Sequence, residues 1–505
     1  MGGVSGQTLG VIDIGSNSGR VLVARVRGTA HLDVLGDARS PLRLVRDVAR
    51  GGRLRPDTIE RTLRIVRGFV SVARGAGADR ILAVATSAVR EATNGDELIQ
   101  RTRDELGIEV GIAKGDEEAC FGFLGAVHGL PVEHGVVLDV GGGSLQLVHF
   151  RERSLQRAWS LPLGALRLND RFLTRADPPS RGDMRSLKEH VYATLELAGI
   201  QPLRPDERVV GTGGTLRNLA KVDRRLRSDY PISRLHGYVL ERRRLDEVGA
   251  LLAGASATNR PTIAGLNADR ADSIVGGALV VQAVLDRLLA ADLTVAGYGM
   301  REGIALHSVT DTTASIDQVQ RAAIEALAAQ FGTYDARRAD CRLGVVMALL
   351  DRVTAGLSSE VRTAATLAAR VLDVGASIDY YRRHAHSARI ISDANLDGFS
   401  HRTLALTAAA VDAVSEREAT VKGYAPLLVA ADQPVVEQIS AGVALADAVV
   451  RYGSADPDGS GRAHRNGHVV LATSIVDTWP LEPHTRRAER AFGVGFRLGD
   501  TLQVG

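Results

Sequence analysis

Apolar positions along the chain fall into two alternating patterns. Short continuous or alternating apolar runs predict strands, and stretches with apolar residues every three or four positions predict helices. Residues 8–26 give a strand to Asp13, a polar turn with glycine, and a second strand. Pro56 to Gly77 reads as a helix, because Pro56 and Asp57 open it, apolar residues recur at helical spacing and glycines end it. "RILAVATSAVREATNGDELIQRTRDELG" predicts strand, turn and helix, and "IEVGIAKGDEEACFGFLGAV" predicts a strand and a loop opening a helix near Asp116. At Gly135 a similar series begins again with "VVLDVGGGSLQLVHF", another β-turn-β unit. "RVVGTGGTLRNLAKV" and "LTVAGYGMREGIAL" then each give a strand, a glycine turn and a helix. Such alternation predicts α/β layers, in two halves spanning 1–134 and 135–306. Residues 307–505 change character. From about Ser315 to Tyr452 the text is Ala-rich and helical, with Val361, Ala364, Ala368 and Val371 forming one core-facing stripe. Ser454 to Gly467 reads as a polar loop, "HVVLATSIV" as a strand, and a short helix and strand finish this α/β tail.

Composition narrows the class. The 505 residues exceed one core, so several domains are expected. A net charge of +3 gives no strong field for nucleic acid, and no specific nucleic-acid partner is expected. Cys120 and Cys341 lie far apart without metal-ligand spacing, which points to a reducing, cytoplasmic setting. No signal-peptide pattern precedes the strand at Asp13. The apolar run Ser273 to Leu285 stops at Asp286, short of the roughly 18–20 residues of a membrane span, so no membrane partner is expected.

The candidate chemistry lies in a repeat. "VIDIGSNS" and "VLDVGGGS" share an apolar–Asp–apolar–Gly core ending in Ser, with Asp13 and Asp139 in equivalent places. Glycines let backbone N–H groups approach an anion and nest around phosphate oxygens. In this reading Gly15, Ser16, Asn17 and Ser18 form one phosphate loop, and Gly141, Gly142, Gly143 and Ser144 the other. Each aspartate ends a strand where it can hold Mg²⁺ (or Mn²⁺), an ion satisfied by few carboxylates, several waters and substrate phosphates. Two such turns facing across a cleft would hold a phosphate chain from both sides. Gly213 and Gly214, ahead of a helix N-terminus, would add a backbone cradle.

This pairing resembles the actin/Hsp70/sugar-kinase superfamily, and seven ordered words narrow the match. "DIGSNSGR", "ATSAVREATNGDEL", "GDEEACFGFLGAV", "LDVGGGSLQLV", "GTGGTLRNLAK", "ADRADSIVGGA" and "YGMREG" resemble the exopolyphosphatase/guanosine-pentaphosphatase (Ppx/GppA) family over about residues 8–306. The resemblance implies two actin-like (ribonuclease H-like) domains around a cleft, followed by a helical HD-like region. It implies Glu118 as general base and Arg90 as a phosphate clamp. It further implies a Mg²⁺-dependent exopolyphosphatase releasing orthophosphate from inorganic polyphosphate, with 5′-hydrolysis of guanosine pentaphosphate (pppGpp) as the related alternative. A homodimer is expected by the same resemblance. From the residues alone, Asp116, Glu117 and Glu118 also suit a helix N-terminus.

Two departures matter. The family's second loop reads G-G-G-S-T-E, whereas here Gln146 stands at the metal-associated glutamate, which predicts weaker metal binding or lower turnover. The HD-like region has Leu372-Asp373 where such domains have His-Asp, so no working metal centre is expected there; His384 and His386 are read as ordinary histidines. These departures leave a weakly active or non-catalytic polyphosphate or alarmone binder as a third reading. The basic runs Arg224–Arg227, Arg242–Arg244 and Arg382–His386 are read first as solvated helix faces, with a polyanion path as the other reading.

Overall fold

The computed structural model describes residues 6–499 apart from 228, 311, 354–356, 417, 453–462, 466–467 and 473–480. It divides into two compact units, Met1–Ser228 with Leu235–Val319, and Asp229–Arg234 with Gln320–Gly505.

The first unit holds two sheets built on one plan. Strands β1 (Gln7–Ile14), β2 (Ser18–Arg27), β3 (His31–Pro41), β4 (Arg80–Ala85) and β5 (Val110–Ile112) form a sheet in the order β3-β2-β1-β4-β5. Strands β6 (Gly135–Val140), β7 (Leu145–Arg151), β8 (Ser154–Leu161), β9 (Arg208–Thr212), β10 (Tyr238–Glu241) and β11 (Asp292–Val295) form the other, in the order β10-β11-β9-β6-β7-β8. In each, a three-stranded antiparallel meander precedes parallel pairing, β1 with β4 and β6 with β9. The sequence repeat is therefore a repeat of topology, and the two aspartates end the equivalent strands β1 and β6. Both strands are apolar on each face because each sheet face is covered by helices. The helix Pro56–Gly75 covers the first sheet with Ile59, Leu63, Val66, Phe69, Val70 and Ala73, spaced along one face. Burial of each of the larger of these side chains is worth roughly 1.5–3 kcal/mol.

Two helices cross between the sheets. The helix Gly115–His128 precedes the second half in the chain, yet it packs Ala119, Phe123, Ala126 and Val127 against Val137, Val148, Phe150 and Val210 of the second sheet. The helix Met300–His307 follows the second half and packs Ile304, Ala305 and Leu306 against Leu9, Val11, Leu22 and Ala24 of the first. The two helices touch backbone to backbone. A Cβ on Gly125 would lie 2.0 Å from the Gly299 carbonyl oxygen, and one on Gly303 would lie 1.8 Å from that of Phe121.

The apolar run at Ser273–Leu285 forms the buried helix Ile274–Leu288. No described helix is long and apolar enough to cross a membrane. Arg227, Arg242, Arg243 and Arg244 each stand beside a carboxylate; Arg243 lies on a solvated face as expected, whereas Arg227 and Arg244 turn toward the fully buried Asp223.

The second unit is an Ala- and Leu-rich helical bundle. Its helices include Ala336–Val353, Ser359–Val371, Arg383–Asp393, His401–Asp412 and Gln433–Tyr452. Of the expected stripe, Ala364, Ala368 and Val371 are buried and Val361 packs against the core from its edge. The tail contributes β12 (Ala463–Arg465), β13 (His468–Ala472), the helix Glu482–Phe492 and β14 (Gly495–Gly499). The short strand β12 lies within the stretch read as a polar loop, where it pairs with β13; the rest of that stretch lies outside the described residues.

Candidate active site

Three kinds of local structure converge in the first unit. The turn after β1 presents Gly15, Ser16, Asn17 and Ser18; the turn after β6 presents Gly141, Gly142, Gly143 and Ser144. The turn after β9 presents Gly213 and Gly214. Together with Asp13, Glu118 and Asp139 they line one cleft of about 120 Å³. The first two turns face each other closely, since a Cβ on Gly142 would come 3.2 Å from that of Asn17. Hydrogen bonds hold the loops: Ser16 Oγ lies 2.7 Å from Ser87 Oγ and accepts from the Ala88 amide, and the Gly141 amide donates to the Ser144 carbonyl.

Glu118 reaches the cleft from the Gly115–His128 helix. The acidic run at its start divides by direction. Asp116 and Glu117 are exposed, and the Lys114 amide donates to Glu117 Oε2 at 2.8 Å, closing the helix N-terminus. Glu118 turns inward, with Oε2 buried and without a hydrogen-bond partner. At the other end Arg153 donates to the Val127 and His128 carbonyls, a cation at a helix C-terminus.

Arg90 is not among the described residues that line the cavity, but it stands against Glu118, which is. Arg90 donates to the Ala113 carbonyl and lies 3.8 Å from Glu118 Oε2, because the short helix Ser87–Glu91 turns it toward the end of β5. The cationic wall comes instead from Arg20, Arg217, Arg270 and Arg301, which were not singled out from the sequence. The signal was present, since each lies in one of the seven quoted words. Arg20 pairs opposite Asp13 in the sheet just as Gln146 pairs opposite Asp139. The duplication thus places an arginine beside one acid and an amide beside the other. Arg217 is anchored by donating to the Gly297 carbonyl at 2.9 Å, and Arg301 by donating to the Val21 carbonyl at 3.1 Å. Glu302 accepts from the Gly299 amide at 2.8 Å.

Gln146 is buried and donates to Ser144 Oγ at 2.8 Å. With Glu118, Asp139 and Thr212 it lines a second small cavity of about 30 Å³, space enough for a water.

Desolvation dominates the electrostatics. Burial pushes the Asp13 carboxyl up to about 6 against the pull of Arg20 and Arg301. It raises Asp139 against Arg217, Arg20 and Arg270. Burial raises Glu118 to about 7 despite Arg90, with Asp139 and Asp13 adding to the rise. On the cationic side, burial and then crowding by other arginines hold Arg20 well below its usual value, and burial foremost lowers Arg270 to about 10. Charges of both signs held out of water in one cleft mark a site built for a charged ligand.

The donor set fits a divalent cation shared with substrate. Among the described residues no three metal-ligating side chains form a closed cage. Asp13 Oδ1 is buried and unpartnered, and only the missing side chain of Gly213 leaves room for Asp139 Oδ1, 2.0 Å from where a Cβ would stand. Few carboxylates with space for water and phosphate oxygens is the coordination Mg²⁺ prefers. The second unit does not fit a metal at the HD-like position. Leu372 is buried and apolar, and the Arg342 guanidinium lies between Asp373 and Asp447.

Residues 22–312 match the sequence profile of the Ppx/GppA phosphatase family, and residues 319–448 match that of its domain III. Exopolyphosphatase 1 of Mycobacterium leprae is 30% identical over 306 residues, covering 60% of this chain and 89% of that protein. Exopolyphosphatase 2 of Mycobacterium tuberculosis is 32% identical over 313 residues, covering 58% and 96%. The crystal structure of the Aquifex aeolicus Ppx/GppA family member superposes with a TM-score of 0.53 at 27% identity, covering 60% of this chain and 97% of that one. Fold, cleft and sequence agree: the chain belongs to the Ppx/GppA phosphatase family and is a phosphoanhydride hydrolase.

Proposed function

We propose that the protein is an exopolyphosphatase, removing terminal orthophosphate from inorganic polyphosphate with a divalent cation, Mg²⁺ or Mn²⁺. The observation that carries this reading is the cleft wall: four arginines, glycine turns and buried carboxylates, with no aromatic ring among the described residues that line it. A nucleotide base is normally held by stacking on aromatic side chains. An inorganic phosphate chain needs only charge and N–H donors, which is what this wall offers.

The residues divide the work as follows. Arg20, Arg217, Arg270 and Arg301, with the glycine amides, hold the chain end and offset charge on the leaving phosphates. Glu118 accepts a proton from a water as its oxygen attacks the terminal phosphorus; the P–O–P bond breaks, giving orthophosphate and a chain shorter by one unit. Arg90 steadies the charged form of Glu118. Asp13 and Asp139 would hold the cation, which supplies further charge neutralisation at the phosphates.

The pH profile follows from the raised Glu118 pKa. The base works deprotonated, so kcat/KM should rise with pH through about 7 and level above it. Arg90→Ala removes a cation that lowers this pKa, so its profile should move to higher pH; a profile that stays in place counts against the pairing. Added divalent cation should move the midpoint down, since a nearby positive charge favours carboxylate.

The assignment is tested by orthophosphate release from long-chain polyphosphate and from guanosine pentaphosphate, side by side, with Mg²⁺ or Mn²⁺. Faster release from the nucleotide would reject the inorganic chain as preferred substrate. Gln146→Glu adds a carboxylate beside Asp139 and should lower the cation concentration for half-maximal rate by roughly tenfold or more. An unchanged cation requirement would mean that Gln146 has no part in the metal's surroundings.

A further inference from the structure

The second unit carries a charge cluster unlike the neutralised arginine runs of the first. Helix Ala336–Val353 presents Arg338 and Arg342 four residues apart, and helix Gln433–Tyr452 presents Asp447 and Arg451 likewise. Asp373 follows helix Ser359–Val371, and Arg383 opens the next helix. Asp447 lies 3.2 Å from Arg342, 3.8 Å from Arg338, 3.6 Å from Arg383 and 2.5 Å from Arg451. Asp373 also pairs with Arg342 and lies 3.7 Å from Arg383. Among the described residues, four guanidiniums therefore share two carboxylates. The Arg342 side chain is wholly buried, with Nη1 donating to the Ala369 carbonyl, and Arg383 Nη1 donates to the Tyr380 carbonyl; the Nε atoms of Arg338 and Arg451 are shut off from water without a hydrogen-bond partner. Buried cations in excess of anions are costly unless an anion completes the set. Arg338 and Arg451 remain partly open to solvent and give access.

Two aromatic rings stand at the same place. Arg451 Nη1 lies 3.3 Å from the Tyr380 hydroxyl, and the Arg383 guanidinium stacks over the Tyr380 ring at 4.9 Å. Tyr381 lies edge-on to Tyr380 at 5.7 Å and is 91% exposed. Tyrosine rings usually bury most of their area, and an uncovered one beside guanidiniums is a stacking surface. The guanidinium fork matches phosphate oxygens. The active cleft offers arginines without an aromatic ring; this cluster offers both.

We propose that this cluster binds a nucleoside polyphosphate, with the phosphates on Arg338, Arg383 and Arg451 and the base against Tyr381. The cluster lies within the second unit, and its assignment does not depend on the substrate assigned to the cleft.

The test is calorimetric titration of the full-length protein, without divalent cation so that tripolyphosphate is not hydrolysed in the cleft, with the β,γ-imido analogues of ATP and GTP and with inorganic tripolyphosphate; binding at this cluster is the part lost in Arg451→Ala. Arg338→Ala and Arg451→Ala should each weaken nucleotide binding roughly ten- to a hundredfold. Tyr381→Ala should weaken nucleotide binding and leave tripolyphosphate binding unchanged. Because Tyr381 is exposed, that variant keeps its fold and gives an answer even if an arginine variant unfolds. Nucleotide binding unaltered by Tyr381→Ala and Arg451→Ala would overturn the proposal. Tripolyphosphate binding that Arg451→Ala weakens as much as it weakens nucleotide binding, with no effect of Tyr381→Ala on either, would overturn the nucleotide assignment and leave an inorganic-anion site.

Discussion

Glu118→Gln is expected to lower orthophosphate release by roughly a hundred- to ten-thousandfold while substrate binding and fold stay intact. The amide has the shape of the carboxyl but cannot accept the proton of the attacking water. No short hydrogen bond is lost, because Glu118 Oε2 has no hydrogen-bond partner and the helix N-terminus is closed by Glu117; only the long ion pair with Arg90, at 3.8 Å, is given up. Stability should hold or rise, since a carboxylate that burial pushes to about 7 is a strained charge at neutral pH. The measurement is the rate at saturating polyphosphate, beside a thermal melt. A rate within tenfold of the parent protein would show that another group takes the proton.

Gly213→Ala is expected to cost activity and stability together. Gly213 has φ +85°, a conformation that costs an L-residue roughly 1–2 kcal/mol. The new methyl would also meet Asp139 Oδ1 at 2.0 Å, so either the turn or the carboxylate must move. Displacement of about 1 Å at a reacting centre can cost a hundredfold in rate, and that loss is expected in kcat. Gly28→Ala is the control. Gly28 has φ +58° with nothing within 4 Å of its Cβ position, so it carries the conformational cost without the collision. Equal activity losses in the two variants would refute the collision as the cause.

The glycine turns of the cleft were legible because glycine, a strand-ending acid and duplication are local signals. Asp13, Asp139 and their turns needed only the repeat to be recognised. Glu118 needed the family resemblance, because three consecutive acids at a helix start look alike until packing turns one inward. Arg20, Arg217, Arg270 and Arg301 went unrecognised for a different reason. In a chain with 62 Lys and Arg residues, nothing local separates an arginine aimed into a cleft from one aimed at solvent. Arg90 shows the converse, since its motif was plain and its direction was not. In the helical unit the substitution at Leu372 was visible, but Arg342 between Asp373 and Asp447 comes from helices distant in sequence.

The crossing of the Gly115–His128 and Met300–His307 helices bears on how the lobes could be inherited or engineered. Each lobe has lent a helix to its twin. A fragment ending near residue 134 would carry Phe123, Ala126 and Val127 without the sheet they cover, and would lack Ile304 and Leu306 over its own β1 and β2. Neither lobe is an autonomous module that could be excised or grafted alone. Because Gly125 and Gly303 allow the backbones to touch, even a single methyl at that junction would push the lobes apart. The two copies of one plan are thus expected to fold as a pair.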